Sequence, residues 1–133
     1  MLFNSEYPLS RNRRLRSTSS IRDLISETNL SSKNLVQPIF VTEILNTDLC
    51  IDKMPEIYRI PEKNLLGEIE LLKNCGINAV SLFPQISEKR KNDSGSESLN
   101  SNNLVCRCIK SIKREFPDVL VACDLALDAY TNS

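Results

Sequence analysis

The sequence predicts an α/β fold built on a parallel sheet. Three apolar segments have the length and composition of strands, and each follows a segment with helical periodicity. An alternating order of helices and strands is typical of parallel strands joined by right-handed crossovers. A doubly wound sheet usually has more strands, and a (β/α)8 barrel needs about 250 residues. The 133 residues therefore look like the opening part of a larger fold.

The first thirty residues form a polar arm with a cluster of arginines and one short predicted helix. Clustered arginines suit phosphate groups, but no aromatic residues are interleaved with them, and Asp23 and Glu27 dilute the charge. A structural arm that docks against carboxylates of another subunit is at least as strongly favoured as phosphate binding. Ser19 or Ser20 is predicted to cap the helix. The arginines are Arg11, Arg13, Arg14 and Arg16.

The first two strands are predicted over residues 35–41 and 77–84. Pro38 cannot donate a ladder hydrogen bond, so either the first strand lies near an edge of the sheet or the proline ring lies where no ladder bond is needed. Residues 42–60 show little periodicity and are predicted to form an irregular loop. A helix then begins at the proline and glutamate at 61–62, keeps an apolar stripe, and ends at a glycine.

A polar segment, residues 85–103, separates the second strand from the third helix. A loop this long at the carboxyl end of a strand is either a disordered insertion or part of an active-site rim. Asn100 or Ser101 is predicted to cap the helix that follows. Cys106 and Cys108 in that helix point in directions about 200° apart, which favours packing over a chelating pair.

The last predicted strand begins at Val119 and contains the candidate site. Alternation along a strand puts Asp124 and Asp128 on one face, towards the carboxyl end where ligands bind in parallel α/β folds. Buried carboxylates are costly unless they are hydrogen-bonded, paired or bound to a cation. A substrate or cation site is favoured over the alternative, in which Asp128 begins a solvated turn and Asp124 caps a neighbouring backbone.

The composition is that of one modest domain with a core. Apolar residues make up 41% of the chain and its formal net charge is zero, so it has no general electrostatic reason to bind nucleic acid or an anionic membrane. No apolar run approaches the roughly 18 residues of a membrane span, and the N-terminus lacks the features of a secretory signal. Five cysteines in no disulfide spacing predict free thiols in a reducing cytoplasm. Histidine, the commonest metal ligand and general base, is absent from the sequence.

Six segments, in order along nearly the whole chain, match the pattern of one enzyme family. They are Arg13-Arg14-Leu15-Arg16, residues 35–41, Met54-Pro55 with Tyr58-Arg59, Leu82-Phe83-Pro84, Gly95-Ser96-Glu97 with Asn100, and residues 124–131. Together they resemble the N-terminal part of porphobilinogen synthase, also called δ-aminolevulinic acid dehydratase. The resemblance implies a (β/α)8 barrel with an N-terminal arm that embraces a neighbouring subunit in a homo-octamer. It also implies the condensation of two δ-aminolevulinic acid molecules to porphobilinogen for heme biosynthesis.

The resemblance assigns roles to residues of the last segment. The aspartate matching Asp124 lies in the family's active site, near the second substrate. Zinc-dependent members have metal-binding cysteines at the positions of Ala126 and Asp128, so this sequence has no thiolate zinc site there. The pattern resembles members that use magnesium, and Asp128 would suit a hard cation. Members usually have Pro at the position of Ala129 and Tyr at that of Leu99.

The family's chemistry also uses two lysines that form Schiff bases with substrate, and their positions follow Ser133. A lysine nucleophile needs a desolvated, perturbed setting. None of the lysines in the polar loop or on the wet face of the third helix has such a setting, so the chain alone is predicted to be inactive. The alternative is a non-catalytic, truncated α/β module that binds a partner through its basic arm or its open sheet edge. The lysines of the polar loop and the third helix are Lys89, Lys91, Lys110 and Lys113.

Overall fold

A five-stranded sheet forms the centre of the second of two units into which the chain divides. The structure is a computed structural model that describes residues 13–132. The two units are Met1–Leu30 and Ser31–Ser133. Arg11 of the arginine cluster lies outside the described residues.

The first unit contains one short helix, α1 (Ser19–Leu24), after a 3-10 turn at Arg14–Arg16. Thr18 caps α1, because its Oγ1 accepts a hydrogen bond from the Ile21 N–H at 3.2 Å. The cap is therefore the residue before the two serines predicted for this role. Neither the turn nor the helix contains a buried residue.

The sheet of the second unit has two more strands than the sequence predicts. The strands are β1 (Gln37–Thr42), β2 (Leu49–Ile51), β3 (Met54–Pro61), β4 (Ala79–Gln85) and β5 (Leu120–Cys123). Their order across the sheet is β2-β3-β1-β4-β5. The pairs β3–β1, β1–β4 and β4–β5 are parallel, as predicted for the sheet, while β2 runs antiparallel to β3.

The prediction of an irregular loop over residues 42–60 is wrong, because this segment contains β2 and nearly all of β3. Strand β3 has a proline near each end and is exposed over its first half, so it lacks the alternation that marks a strand in a sequence. Its pairing with β1, in which Val41 lies opposite Ile60, is a long-range contact that no local pattern encodes. The alternative that places β1 near an edge is wrong, because β1 is the central strand. Its pairing with β3 begins at Phe40, so Pro38 lies where that ladder needs no hydrogen bond.

The core lies between one face of the sheet and two helices, α2 (Leu65–Asn74) and α3 (Leu104–Glu115). Alternate residues of β1 and β4 face the helices and are at most 2% exposed, as expected for a strand with one buried face. Helix α3 contributes a fully buried stripe at helical spacing. The central members of this core are Ile39, Val41, Val80, Leu82, Leu65, Ile69, Leu104, Cys108 and Ile112.

Gly76 ends α2, as predicted. Its φ is +82°, a left-handed conformation that glycine adopts without steric cost. The Gly76 N–H donates to the Lys73 carbonyl and the Ile77 N–H to the Leu72 carbonyl, both at 2.9 Å. A Cβ at this position would lie 2.5 Å from Ser32 Oγ, so close packing also requires glycine here.

Helix α3 begins two to three residues later than predicted, because Asn103 is its cap. The Asn103 Oδ1 accepts a hydrogen bond from the Cys106 N–H at 2.9 Å, and the rest of this side chain is buried. Its Nδ2 donates to the carbonyls of Glu97 and Ser98. The cap therefore also anchors the loop before the helix.

Cys108 is a core residue, as the packing interpretation of the two helix cysteines predicts. Its side chain is fully buried against the sheet, and burial, with a smaller contribution from Glu62, raises the pKa of its thiol from 9.0 to about 12. Cys106 is only partly buried. In the part of the chain that the structure describes, no helix is long and apolar enough to cross a membrane.

Glu56 is the one described non-glycine residue with a positive φ, +65°, and it lies exposed in β3. We expect Glu56→Gly to raise the free energy of unfolding by about 0.5–1 kcal/mol, because glycine removes the left-handed strain. The matched change Glu70→Gly, at an exposed position inside α2, should lower it by about 1 kcal/mol. Urea unfolding followed by circular dichroism measures both, and a loss in both variants would contradict the strain at Glu56.

The buried thiol of Cys108 predicts a loss of stability at high pH. Its folded pKa lies above its unfolded one, so its contribution is complete below about pH 9 and is lost between about 9 and 12. Between pH 7 and 10 the loss from this group should be about 1.4 kcal/mol. The variant Cys108→Ala should lose correspondingly less than the parent chain when urea midpoints are compared at the two pH values under reducing conditions. Equal losses in the two proteins would mean that the thiol ionises freely in the folded state.

Candidate functional site

The last strand is shorter than predicted, because β5 ends at Cys123, where its pairing with β4 stops. Asp124 is the first residue beyond the strand, and Asp128 begins a 3-10 turn, Asp128–Tyr130. The prediction that the two carboxylates share one strand face is therefore wrong.

The strand is also more exposed than a buried parallel strand should be. Leu120 is 63% exposed, and beyond the strand Leu125 is 92% exposed. Val119, just before the strand, is the apolar residue of this segment that enters the core. A run of apolar residues predicts burial, but β5 has a neighbour in the described sheet only on the β4 side.

Asp124 lies at the carboxyl end of β5 and lines a cavity of about 290 Å³. The cavity lies between the segment that follows β5 and the first turns of α3, and its lining includes Cys106, Leu127 and Tyr130. Asp128 is exposed and is not part of this lining. Its carbonyl accepts a hydrogen bond from the Thr131 N–H at 3.4 Å, so the alternative that Asp128 begins a turn agrees with the structure. The role of Asp124 stays a prediction.

Tyr130 anchors the segment that contains both aspartates. Its side chain is 7% exposed and belongs to the core cluster. Burial raises the pKa of the phenol, and Cys106, Cys123 and Glu97 raise it further. The phenol is therefore a neutral hydrogen-bond donor beside the cavity at physiological pH.

The polar loop of residues 85–103 packs against this segment through short 3-10 turns at Glu88–Arg90 and Ser96–Leu99. The Asn92 N–H donates to the Tyr130 carbonyl at 3.2 Å, and Asn132 Nδ2 donates to Asp93 Oδ1 at 3.1 Å. Gly95, with φ +60°, brings its backbone against Thr131, Leu127 and Tyr130. The loop therefore packs against the segment that contains Asp124, and its role as part of an active-site rim stays a prediction.

The sequence analysis missed an ion-pair network at the carboxyl ends of β1 and β3. Arg107 of α3 donates to Glu62 through Nε and Nη2, at 2.8–3.2 Å, and to Glu43 through Nη2 at 3.2 Å. Its Nη1 donates to the Asn102 carbonyl at 2.8 Å. The hydrogen bond to Glu62 is the main cause that raises the pKa of Arg107 still further above its usual range. The sequence holds no local signal for these contacts, because they join residues that are 45 and 64 positions apart.

The network continues into the polar loop through Arg90. Arg90 lies 3.5 Å from a Glu43 oxygen and 3.0 Å from a Glu97 oxygen. The Glu43 carboxylate also accepts a hydrogen bond from the Ser87 N–H at 3.2 Å, and its side chain is only 12% exposed. Glu43 thus connects the end of β1 with both α3 and the loop.

A second cavity, of about 470 Å³, lies beside this network. Thr42, Glu43, Glu62, Cys108 and Ser111 contribute to its lining, so it opens at the carboxyl ends of β1 and β3 and extends to α3. Its two carboxylates are already bound to Arg107. Their charges are compensated, which gives this cavity less attraction for a cation than two free carboxylates would have.

The described residues offer no complete metal site. Within residues 13–132, no group of three acidic, cysteine or histidine side chains is arranged to hold a metal ion. Asp128 supplies one exposed carboxylate, and Ala126 supplies no ligand. A magnesium ion can be held by one or two carboxylates together with water, so Asp128 fits only as a single ligand.

Three of the lysines in the loop and on α3 have ordinary partners. Lys91 pairs with Glu88 at 2.8 Å, Lys110 Nζ donates to the Ser101 carbonyl at 3.0 Å, and Lys113 Nζ donates to the Val119 carbonyl at 2.6 Å. These contacts engage the side-chain nitrogen of each lysine, whereas a Schiff-base lysine must present that nitrogen to a substrate carbonyl.

Comparison with protein families gives one match over nearly the whole chain. Residues 9–133 match the family model described as delta-aminolevulinic acid dehydratase. The delta-aminolevulinic acid dehydratase of Chlamydia pneumoniae is 44% identical over 129 residues, which are 96% of this chain and 39% of the relative. The chloroplastic enzyme of Oryza sativa subsp. japonica is 39% identical over 123 residues, which are 92% of this chain and 29% of the relative. The chain thus spans less than two fifths of the length of these relatives.

A solved structure agrees with the sequence relatives. The crystal structure of delta-aminolevulinic acid dehydratase (porphobilinogen synthase) from Toxoplasma gondii ME49, in complex with the reaction product porphobilinogen, superposes with a TM-score of 0.84. The sequences are 35% identical, and the match covers 92% of this chain and 35% of the other. This match confirms the prediction of a partial (β/α)8 barrel.

The ion-pair network predicts a large effect for one arginine of α3 and a small effect for another. We expect Arg107→Gln to lower the free energy of unfolding by about 2 kcal/mol, because it leaves the partly buried Glu62 without its cation and Glu43 with Arg90 alone. Arg114 is 73% exposed and pairs only with its neighbour Glu115, so Arg114→Gln should change stability by less than about 0.5 kcal/mol. Urea unfolding of the two variants tests this, and equal effects would show that the network does not stabilise the fold.

Proposed function

Because the chain belongs to the delta-aminolevulinic acid dehydratase family, we propose that it supplies the first strands of a porphobilinogen synthase barrel. In the proposed reaction, two δ-aminolevulinic acid molecules condense to porphobilinogen, as in tetrapyrrole and heme biosynthesis. The family match over residues 9–133 is the observation on which this proposal depends. The chain alone should be inactive, since Lys91, Lys110 and Lys113 lie in polar, hydrogen-bonded settings.

Asp124 is the residue that we propose for the substrate site. It is the first residue beyond β5 and lines the cavity of about 290 Å³, and ligands of parallel α/β folds bind beyond the carboxyl ends of strands. δ-Aminolevulinic acid has an ammonium group, to which the Asp124 carboxylate can accept a charge-assisted hydrogen bond. The buried Tyr130 phenol lines the same cavity as a neutral donor.

The proposed metal is magnesium, with Asp128 as one oxygen ligand. An exposed carboxylate with water as further ligands suits a hard cation. A bound magnesium ion would supply positive charge, while Asp128 would hold it at the turn after β5. Zinc bound by thiolates is excluded at Ala126 and Asp128 by residue type.

We further propose that the arm serves a homo-oligomer in the cytoplasm. The turn at Arg14–Arg16 and helix α1 bury no residue, and Leu15 and Leu24 are 58% and 84% exposed. Exposed leucines beside arginines suit a contact with an acidic and partly apolar surface of another subunit. The cytoplasm is proposed because all five cysteines are free thiols.

The alternative function, a non-catalytic module that binds a partner, is favoured by one observation. Leu120, Leu125 and Leu127 are more than half exposed around β5, which forms one edge of the described sheet. An apolar sheet edge is a site for strand addition or association. The two functions differ in whether they require Asp124, which has a role only in the enzyme.

A chimera tests the proposed enzyme function. Residues 9–133 would replace the matching segment of the Chlamydia pneumoniae relative, and porphobilinogen formation from δ-aminolevulinic acid would be measured colorimetrically. We expect an active chimera, and we expect Asp124→Ala to lower kcat/KM by roughly 10²-fold or more. The matched control is Asp118→Ala, at an exposed position before β5, which should leave activity within about twofold.

Two outcomes would contradict the proposal. An active, folded chimera whose kcat/KM is unchanged by Asp124→Ala would show that Asp124 is not part of the substrate site. A folded chimera without activity, together with a partner captured by the isolated chain through β5, would favour the binding module. Porphobilinogen formed by the purified 133-residue chain would refute the predicted inactivity.

A further inference from the structure

The arginines in the described part of the arm, residues 13–30, have no negatively charged partner there. All four of them are exposed. Asp23 and Glu27 are the carboxylates of this segment, yet neither forms an ion pair with an arginine. Like charges held close together repel each other, so the cluster costs stability until an anion compensates it. The four are Arg13, Arg14, Arg16 and Arg22.

Hydrogen bonds bring three of these arginines to one short turn. The Arg16 N–H donates to the Arg13 carbonyl at 3.0 Å, which closes the 3-10 turn. From α1, Arg22 Nη1 donates to the Arg16 carbonyl at 3.0 Å. The guanidinium group of Arg22 thus lies against this turn, although the two residues are six positions apart. Positive charge is therefore concentrated at the turn rather than spread along the arm.

A concavity of about 370 Å³ lies at the same turn, and Arg13, Arg16 and Ser17 line it. Its volume is typical of a site for a small molecule. Residues 13–30 contain no aromatic side chain on which a nucleic-acid base could stack. The turn thus suits a small anion better than a nucleic acid.

We propose that this turn binds a small anion with several phosphate groups, such as the triphosphate of a nucleotide. A guanidinium group presents a planar fork of donors that can bind one phosphate through two hydrogen bonds. Linked phosphates can engage Arg13, Arg16 and Arg22 together, because exposed arginine side chains are flexible and adapt to the spacing of the ligand. A single phosphate carries less charge and should bind more weakly.

The proposed site lies wholly within the arm, so it does not depend on the proposed enzyme function. A bound polyphosphate would use the same guanidinium groups as an acidic surface of another subunit, and the two ligands would exclude each other. The Ser17 Oγ already donates to the Arg14 carbonyl at 2.8 Å. Binding therefore depends on the arginines, which are the residues to change in a test.

Arg114 provides the matched control for a change of arginine. It is 73% exposed and lies on α3, in the second unit, so Arg114→Gln removes the same charge and leaves the arm unchanged. Citrate provides the control for the ligand, because it carries three carboxylates and no phosphate. The turn and α1 contain no buried residue, so changes in the arm should leave the core of the second unit intact.

The experiment is isothermal titration calorimetry of the chain with inorganic triphosphate at low ionic strength, where screening is weak. We expect one triphosphate to bind per chain, and Arg16→Gln and Arg22→Gln each to weaken binding by at least about fivefold. Arg114→Gln should bind like the parent chain. Inorganic phosphate and citrate should each bind at least about tenfold more weakly than triphosphate.

Unchanged binding in Arg16→Gln and Arg22→Gln, or an equal loss in Arg114→Gln, would overturn the proposal. Citrate that binds as tightly as triphosphate would overturn the assignment to phosphate. Circular dichroism identifies a variant that fails to fold. In that case the parent chain is modified with phenylglyoxal, which reacts with arginine, and the modified peptides are identified by mass. Protection of the arm's arginines by triphosphate supports the site, and the lack of such protection refutes it.

Discussion

Arg107 is the constraint on which the arrangement of the strand ends depends. Its guanidinium group binds Glu62 after β3 and Glu43 after β1, and its own helix is α3. Glu43 also pairs with Arg90 of the polar loop. The carboxyl ends of two parallel strands are therefore held relative to α3 and the polar loop. The groups that hold them are the carboxylates of Glu43, Glu62 and Glu97 and the guanidinium groups of Arg90 and Arg107. Because the charges are only partly exposed, loss of one partner leaves the others poorly solvated.

The polar loop of residues 85–103 and the segment after β5 are also joined to each other. Backbone and side-chain hydrogen bonds join Asn92 to Tyr130 and Asn132 to Asp93. Tyr130 is buried and belongs to the core. Asp124 is thereby placed between a strand end and an anchored turn, which limits its freedom although its side chain is exposed. A side chain held in this way needs less ordering when it binds a ligand.

The described sheet is unevenly covered, and this follows from its place in a larger family fold. Helices α2 and α3 bury one face of β1 and β4, whereas β5 and the residues beyond it expose large apolar side chains. The chain spans 39% of the Chlamydia pneumoniae relative. In a closed barrel every strand has two neighbours and no edge is free. The apolar character of β5 is thus adapted to a sheet with more strands than the five described.

The sequence by itself determined the alternation of helices and strands, the core stripes of α2 and α3, the glycine stop at Gly76 and, through ordered motifs, the family. These features have local periods or local backbone requirements, so a short window contains them. Tertiary structure decided the rest. It made β3 a strand by pairing it with β1, ended β5 at Cys123, and brought Arg107 to Glu43 and Glu62. Each of these depends on contacts between residues far apart in the chain, whose energies no local pattern contains.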